Sequence, residues 1–401
     1  MQVIHSRGGT GMRLSEAVKR EIKQFKKVFA RQPEILVLAP GRANIIGEHT
    51  DYTGGLVFPA AIDTRIDFLV SGNGSNTVRL YSDTYQESCE FNLDEKLKRT
   101  HHWSDYIKGV VCELKKAGYQ VDGFNALIGG DLPIGSGLSS SAAFEMAVSE
   151  GCAQLFGYAP MDPEKQIKLC RKAENQFVGV SCGIMDQFII RMGRKHHGLY
   201  LDCRSLEYEL IPIPSDDLVF VIVYSGVKRG LGATAYHERQ KQCERGRLFF
   251  NALNKSLRSL RDVNEDLLQV SRENMDPLIF KRCRHVITEN TRVKRAVEAL
   301  RKPDMVLFGE LMNLSHESCK NDFEVSCEEL DLLVDLARNV PGVLGSRMTG
   351  AGFGGCTISL VARNRVDEFE RYVGNLYNRT TGIVPEFYIT HAEDGVSAVR
   401  L

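Results

Sequence analysis

Asp131-Leu132-Pro133-Ile134-Gly135-Ser136-Gly137-Leu138-Ser139-Ser140-Ser141-Ala142-Ala143 is the stretch on which the fold turns. The apolar residues 124–128 before it read as a strand. Ala142, Ala143, Met146 and Ala147 after it form a helical stripe, so a helix is expected from about Ser139. Glycines let backbone N–H groups approach an anion closely, and a helix N-terminus adds unpaired donors and partial positive charge. The serines offer helix caps as well as hydroxyls for a metal or a phosphate. The loop has no Gly-Lys-Ser/Thr ending, which excludes the Walker A type. An ordinary capped helix after a turn has the same local composition.

Working outward, residues 35–38 read as a buried strand that ends at Pro40. Residues 57–58, 66–70 and 78–81 read as further short strands, punctuated by Gly54-Gly55 and a turn at 72–76. Residues 103–114 have helical spacing. A patch at 211–217 with two prolines, a serine and two aspartates reads as a linker, which puts a domain boundary near 214 and gives domains 1–214 and 215–401. Beyond it come a strand at 218–223, helices to about 338, a strand near 343, a glycine loop, a strand at 356–361, a helix from 366 and a strand at 386–390. Strands beside helices in both halves predict a two-domain α+β protein with a cleft between the domains.

Composition narrows the function. The chain has 401 residues, 43% apolar and 25% charged, as an ordinary globular protein does. Lys plus Arg and Asp plus Glu both total 51, so the basic excess of a nucleic-acid binder is missing and no such partner is expected. The eleven cysteines are an odd number without a Cys-x-x-Cys pair, so they read as reduced thiols rather than as a disulfide framework or zinc site. No apolar run reaches membrane-spanning length, so no membrane partner is expected. Residues 1–12 lack the apolar core of a signal peptide and read as a leader, with Met12 as an alternative start. A cytoplasmic location and a monomer are expected.

Three further clusters carry chemistry. Gly41-Arg42-Ala43-Asn44-Ile45-Ile46-Gly47-Glu48-His49-Thr50-Asp51-Tyr52-Thr53-Gly54-Gly55 follows a buried strand and crowds Arg42, Glu48, His49 and Asp51 together. Carboxylates and an imidazole suit a polyol, since they accept hydrogen bonds from several hydroxyls. A solvated turn or a metal site at His49 are the other readings. Cys182-Gly183-Ile184-Met185-Asp186-Gln187-Phe188 sets one aspartate among apolar residues, where it needs a cation such as Arg42. Ionised Asp186 beside a sugar hydroxyl is suited to take its proton, and Arg42 to steady charge on a moving phosphoryl group. An ordinary structural ion pair is the plainer alternative. Residues 347–356 hold four glycines in the six residues 350–355, a loop that permits close backbone approach or a tight strand connection.

The quoted motifs resemble those of galactokinases, within the family that also holds homoserine, mevalonate and phosphomevalonate kinases. Pro-x-Gly-x-Gly-Leu-Ser-Ser-Ser-Ala is similar to the family's central ATP motif. Gly-Arg-x-Asn-x-Ile-Gly-Glu-His-Thr-Asp-Tyr is similar to the galactokinase signature almost letter for letter. The resemblance runs from about residue 16 to the end. It implies an N-terminal domain like ribosomal protein S5 domain 2 and a ferredoxin-like C-terminal domain, with the active site between them. It implies transfer of the ATP γ-phosphoryl group to the C1 hydroxyl of D-galactose. Asp186 and Arg42 would be catalytic. Glu48, His49, Thr50, Asp51, Gly183 and Tyr236 would hold the sugar. Gly135, Ser136, Gly137, Leu138, Ser139, Ser140 and Ser141 would hold ATP, with Trp103, Tyr106 and Ser82 as nucleotide contacts. Mg²⁺ would be bound by Glu174 with Ser141, or with Ser140 as second choice. Gly350, Gly352 and Gly354 would belong to a third motif closing over the ligands. Thr53, Ala60 and the run 225–230 depart from the usual residues, which bears on sugar preference. The alternatives are a related kinase for N-acetylgalactosamine, arabinose or galacturonate, and a non-catalytic sugar and ATP sensor.

Overall fold

The computed structural model describes residues 14–214, 217–228 and 232–401. The expected leader at 1–12, Ser215 and Asp216 of the linker patch, and Arg229 and Gly230 of the divergent run lie outside the described residues.

Two sheets organise the chain. The first contains β1 (Ile35–Ile46), β2 (Leu56–Gly72), β3 (Thr77–Ser82), β4 (Glu87–Asn92), β5 (Phe124–Gly130), β6 (His197–Asp202) and β7 (Tyr208–Pro212). The second contains β8 (Leu218–Tyr224), β9 (Val343–Thr349), β10 (Cys356–Ala362) and β11 (Glu386–Thr390), in the order β11-β8-β10-β9 and fully antiparallel. That order is the ferredoxin-like one. The last strand, β12 (Ser397–Arg400), returns to pair with β1. A division of the chain at 214 therefore does not separate the two sheets, because the C-terminal residues complete the first.

Two strand boundaries differ from expectation. β1 does not end at Pro40 but continues to Ile46, and the register against β2 shifts between Pro40 and Arg42 and again between Asn44 and Ile46. Bulges accommodate a proline that lacks a ladder donor, and they re-aim side chains. The signature thus starts on a strand, and Arg42 rides on rigid backbone. Residues 57–58 and 66–70 fuse into the 17-residue β2, because pairing with β1 carries the ladder through the polar residues 63–65. β4, β6, β7 and β12 escaped the reading: β4 and β12 are short and largely exposed, and β6 and β7 show no clean alternation of apolar and polar residues.

The helix Ser140–Leu155 is buried on nearly all sides against β1 and β2. Small residues let it approach: a Cβ at Gly151 would lie 2.8 Å from the Phe68 ring. The packing aims the helix N-terminus at the end of β1. One apolar core runs through both halves, and within it the ring of Phe58 meets that of Phe308 edge-on at 6.4 Å. Among the described residues no disulfide bond joins two cysteines. Among the described residues no helix is long and apolar enough to cross a membrane.

Candidate active site

A cavity of about 730 Å³ opens between the halves. Its floor is the end of β1. Arg42 lies there almost fully buried and grips Asp186 with both ends of its guanidinium, Nε to Oδ1 at 2.7 Å and Nη2 to Oδ2 at 2.8 Å. Its third donor, Nη1, reaches the Gly137 carbonyl at 2.5 Å, so one side chain ties the aspartate to the glycine loop. Burial works to lower the Arg42 pKa, but the Asp186 carboxylate outweighs it and holds it above its ordinary value.

Ser139 does not cap the helix. The helix begins at Ser140, and Ser139 has a left-handed backbone with φ of 60° and no capping bond. Its hydroxyl donates instead to Asp186 Oδ2. A non-glycine residue in that region is strained, and such strain persists where the surroundings over-determine it. Gly135 and Gly137 share the left-handed sign, at 78° and 97°. The loop is tied down by Ser136 Oγ donating to the Pro133 carbonyl and by Arg42 N donating to Leu138 O.

The sugar-signature turn is held from the second half of the chain. Arg347 on β9 is fully buried and donates Nη1 to Glu48 Oε2 at 2.7 Å, while Gly350 N donates to Glu48 Oε1 at 3.0 Å. Burial raises the Glu48 carboxyl above its usual range, with Arg347 opposing. Beneath, Glu289 accepts from the backbone N–H groups of Gly47 and Glu48 and from Ser315 Oγ. Burial would raise the Glu289 carboxyl, but Arg292 and its neighbours hold it at about 2. His49 sits at φ of 58°, between Tyr52 Oη (3.1 Å from Nδ1) and the Ala351 carbonyl (3.2 Å from Nε2), with the Tyr236 ring at 5.5 Å. Burial, then the nearby Asp186 charge, pushes the Asp51 carboxyl up to about 7. A Cβ at Gly183 would lie 1.7 Å from Asp51 Oδ2, so only glycine lets these two segments meet.

Comparison with known proteins now has a geometry to explain. A model of the galactokinase galactose-binding signature matches residues 23–71. Models of the N-terminal and C-terminal GHMP kinase domains match residues 105–194 and 296–379. A galactokinase of Staphylococcus carnosus is 44% identical over 94% of this chain and 98% of its own length; one of Fusobacterium nucleatum is 40% identical over 94% and 99%. The crystal structure of Lactococcus lactis galactokinase complexed with galactose superposes with a TM-score of 0.91 at 38% identity, covering 96% of this chain and all of that one. The chain belongs to the galactokinase family. Its two-domain α+β architecture is that of the GHMP kinases, as the motifs implied.

The residues expected from the galactokinase resemblance fall in two groups. Arg42, Glu48, His49, Asp51, Trp103, Tyr106, Gly135, Gly137, Ser139, Ser140, Ser141, Glu174, Gly183, Asp186, Tyr236 and Gly350 all line the cavity. Thr50, Ser82, Ser136, Leu138, Gly352 and Gly354 do not. Thr50 is buried, and its hydroxyl bonds to the carbonyls of Gly47 and Leu56. The Ser82 hydroxyl accepts from Tyr85 N, and Leu138 faces the core. Gly352 and Gly354 pack against the backbone of Val325 and Val227, where a Cβ would collide. Glu174 lies on a π-helical turn, Ala173–Val178, where Gln187 and Cys182 donate to its Oε2.

Sequence reasoning missed Tyr85, stacked near Trp103 at 6.4 Å, as well as Arg347 and Glu289. Arg347 was on view in the third motif without a partner to give it meaning. A second cavity of about 560 Å³ lies behind the Asp51 turn, lined by Tyr52, Lys168 and Arg171 among others. Neither Asp186 nor the glycine loop lines it, so it is separate from the cleft that holds the quoted motifs.

Proposed function

We propose that this protein transfers the γ-phosphoryl group of ATP to the anomeric hydroxyl of D-galactose, giving galactose 1-phosphate and ADP. The observation that carries the reading is the Asp186 carboxylate, clamped by Arg42 and Ser139 at the meeting point of the glycine loop and the sugar signature. The galactose O1 attacks phosphorus as its proton passes to Asp186; the O1–P bond forms and the bond to the β-phosphate oxygen breaks. Arg42 fixes the carboxylate and offsets negative charge in the transition state. Glu48, His49, Asp51, Gly183 and Tyr236 shape the sugar subsite. Trp103, Tyr106 and Tyr85 supply flat apolar surface for adenine.

Hard oxygen donors suit Mg²⁺, and Glu174 with Ser141 provides one carboxylate and one hydroxyl. The fit is supported by Glu174 and Ser141 lining the same cavity beside Asp186, and by a second buried acid, Glu145, with one oxygen unpartnered. Among the described residues no group of three or more His, Cys, Asp and Glu side chains is placed to hold a metal, so phosphate and water would supply the remaining ligands. The ion would neutralise charge on the β- and γ-phosphates.

The test is ATP consumption with Mg²⁺ against galactose, glucose, N-acetylgalactosamine, arabinose and galacturonate. Turnover with galactose is expected, and Asp186→Ala is expected to abolish it while sparing ATP binding. Turnover confined to another sugar would move the specificity. A folded protein that binds ATP and phosphorylates none of the sugars would overturn the reading in favour of a sensor.

A further inference from the structure

The phosphoryl-transfer scheme leaves one buried acid without a task. Glu145 sits one turn after Ser141 on the helix Ser140–Leu155, and its side chain has no access to solvent. Its Oε2 accepts a hydrogen bond from Gln187 Nε2 at 2.9 Å, and the same nitrogen donates to Glu174 Oε2 at 2.7 Å. Gln187 is itself fully buried and directly follows Asp186. One amide group therefore bridges two carboxylates. Glu145 Oε1 and Gln187 Oε1 have no hydrogen-bond partner among the described residues. Neither Glu145 nor Glu174 forms an ion pair there, whereas the neighbouring Asp186 has Arg42. Packing does not account for a carboxylate at this helix-interior position, where an apolar side chain would bury at no electrostatic cost.

We propose that Glu145 is a positioning residue for the divalent cation, acting through the Gln187 amide to fix the Glu174 carboxylate. This rests on the reading of Glu174 and Ser141 as the cation's protein ligands. With Gln187 anchored on Glu145, Glu174 Oε2 is held by Gln187 and by Cys182 and the carboxylate keeps one orientation. Groups behind a ligand set both its direction and its basicity, and their loss costs on the order of 10–100-fold in metal affinity.

The experiment uses the whole protein with Mn²⁺ as probe and a non-hydrolysable ATP analogue, reading bound metal by electron paramagnetic resonance. Glu145→Gln and Gln187→Leu are each expected to raise the Mn²⁺ dissociation constant by roughly 10–100-fold. The double variant is expected to be no worse than the weaker single, since both cut one relay. The turnover of each variant should recover in part at high Mg²⁺, with the KM for galactose unmoved, which a merely structural role would not produce. Binding of Mn²⁺ by Glu145→Gln as tight as by the wild type would overturn the proposal, as would additive losses in the double variant. If Glu145→Gln does not fold by circular dichroism, Gln187→Leu decides alone by the same affinity criterion. A wild-type protein that binds no Mn²⁺ would overturn the cation reading itself, and the relay with it.

Discussion

Replacing Arg42 by lysine tests the mechanism most directly. Arg42 makes three hydrogen bonds, two to Asp186 at 2.7 and 2.8 Å and one to the Gly137 carbonyl at 2.5 Å. Lysine keeps the charge but has a single ammonium and no planar fork, so it can hold one Asp186 oxygen at most. One charge-assisted bond is then lost, worth about 1.5–3 kcal/mol, together with a bond to the glycine loop worth about 1 kcal/mol. At 1.36 kcal/mol per tenfold, a combined loss of about 2.5–4 kcal/mol lowers kcat by roughly 10²–10³-fold. The loss should fall on kcat, because Asp186 orientation matters most as the proton moves, and the KM for ATP should change only a few-fold. The assay is ADP release at saturating galactose and ATP, with a thermal melt to check that the variant is folded. A kcat within tenfold of wild type would refute the argument. So would a defect confined to the KM for galactose, since Arg42 would then serve the sugar and not Asp186.

Gly183→Ala forces a Cβ into a space 1.7 Å from Asp51 Oδ2; displacing a sugar contact by about 1 Å costs on the order of 10²-fold, so kcat/KM for galactose should fall at least that far while the KM for ATP holds. Asp51, raised from 3.8 to about 7 by burial and by Asp186, retains its proton in the folded state after the unfolded chain has lost it. Its contribution to stability is therefore full below about pH 4 and lost as pH rises towards 7; pH-dependent denaturant melts should show Asp51→Asn flattening that fall, and an unchanged slope would contradict the assignment. Arg347→Met leaves Glu48 buried without its cation and should cost about 3–5 kcal/mol in denaturant unfolding; adding Glu48→Gln should restore most of it, and equal loss in the double variant would show that packing, not charge, is at stake.

Much of the site was legible because its residues come in short local runs. Arg42 to Asp51 and Gly135 to Ser141 announce themselves by unusual density of charge and glycine, and the chemistry of each run can be argued from residue type. What the sequence could not show is the pairing across long separations. Ser139 reads as a helix cap until the fold brings Asp186, 47 residues away, against its hydroxyl. Thr50 reads as a sugar contact from the signature alone, and only the fold shows its hydroxyl bracing the turn from within. The edge strands were invisible for a different reason: they have little buried face, so the period-two pattern that marks a strand is weak in them. β12 adds a further obstacle, since only a closed fold reveals that the last residues belong to the first sheet.

The same logic explains why Glu48 is more than a sugar group. Its two oxygens are taken by Arg347 and by the Gly350 N–H, both from beyond residue 340, and its own backbone N–H is held by Glu289. Next to it, His49 is met by the Ala351 carbonyl. The sugar signature is therefore pinned at consecutive residues by the third motif and by a helix of the second half. A loop with two residues in sequence at such fixed partners has little freedom to adapt, and a rigid pocket discriminates by the mismatch it refuses to relax. Sugar preference should then respond to substitutions at Arg347 and Ala351, which lie behind or beside the signature. It should do so even though the signature itself is unchanged.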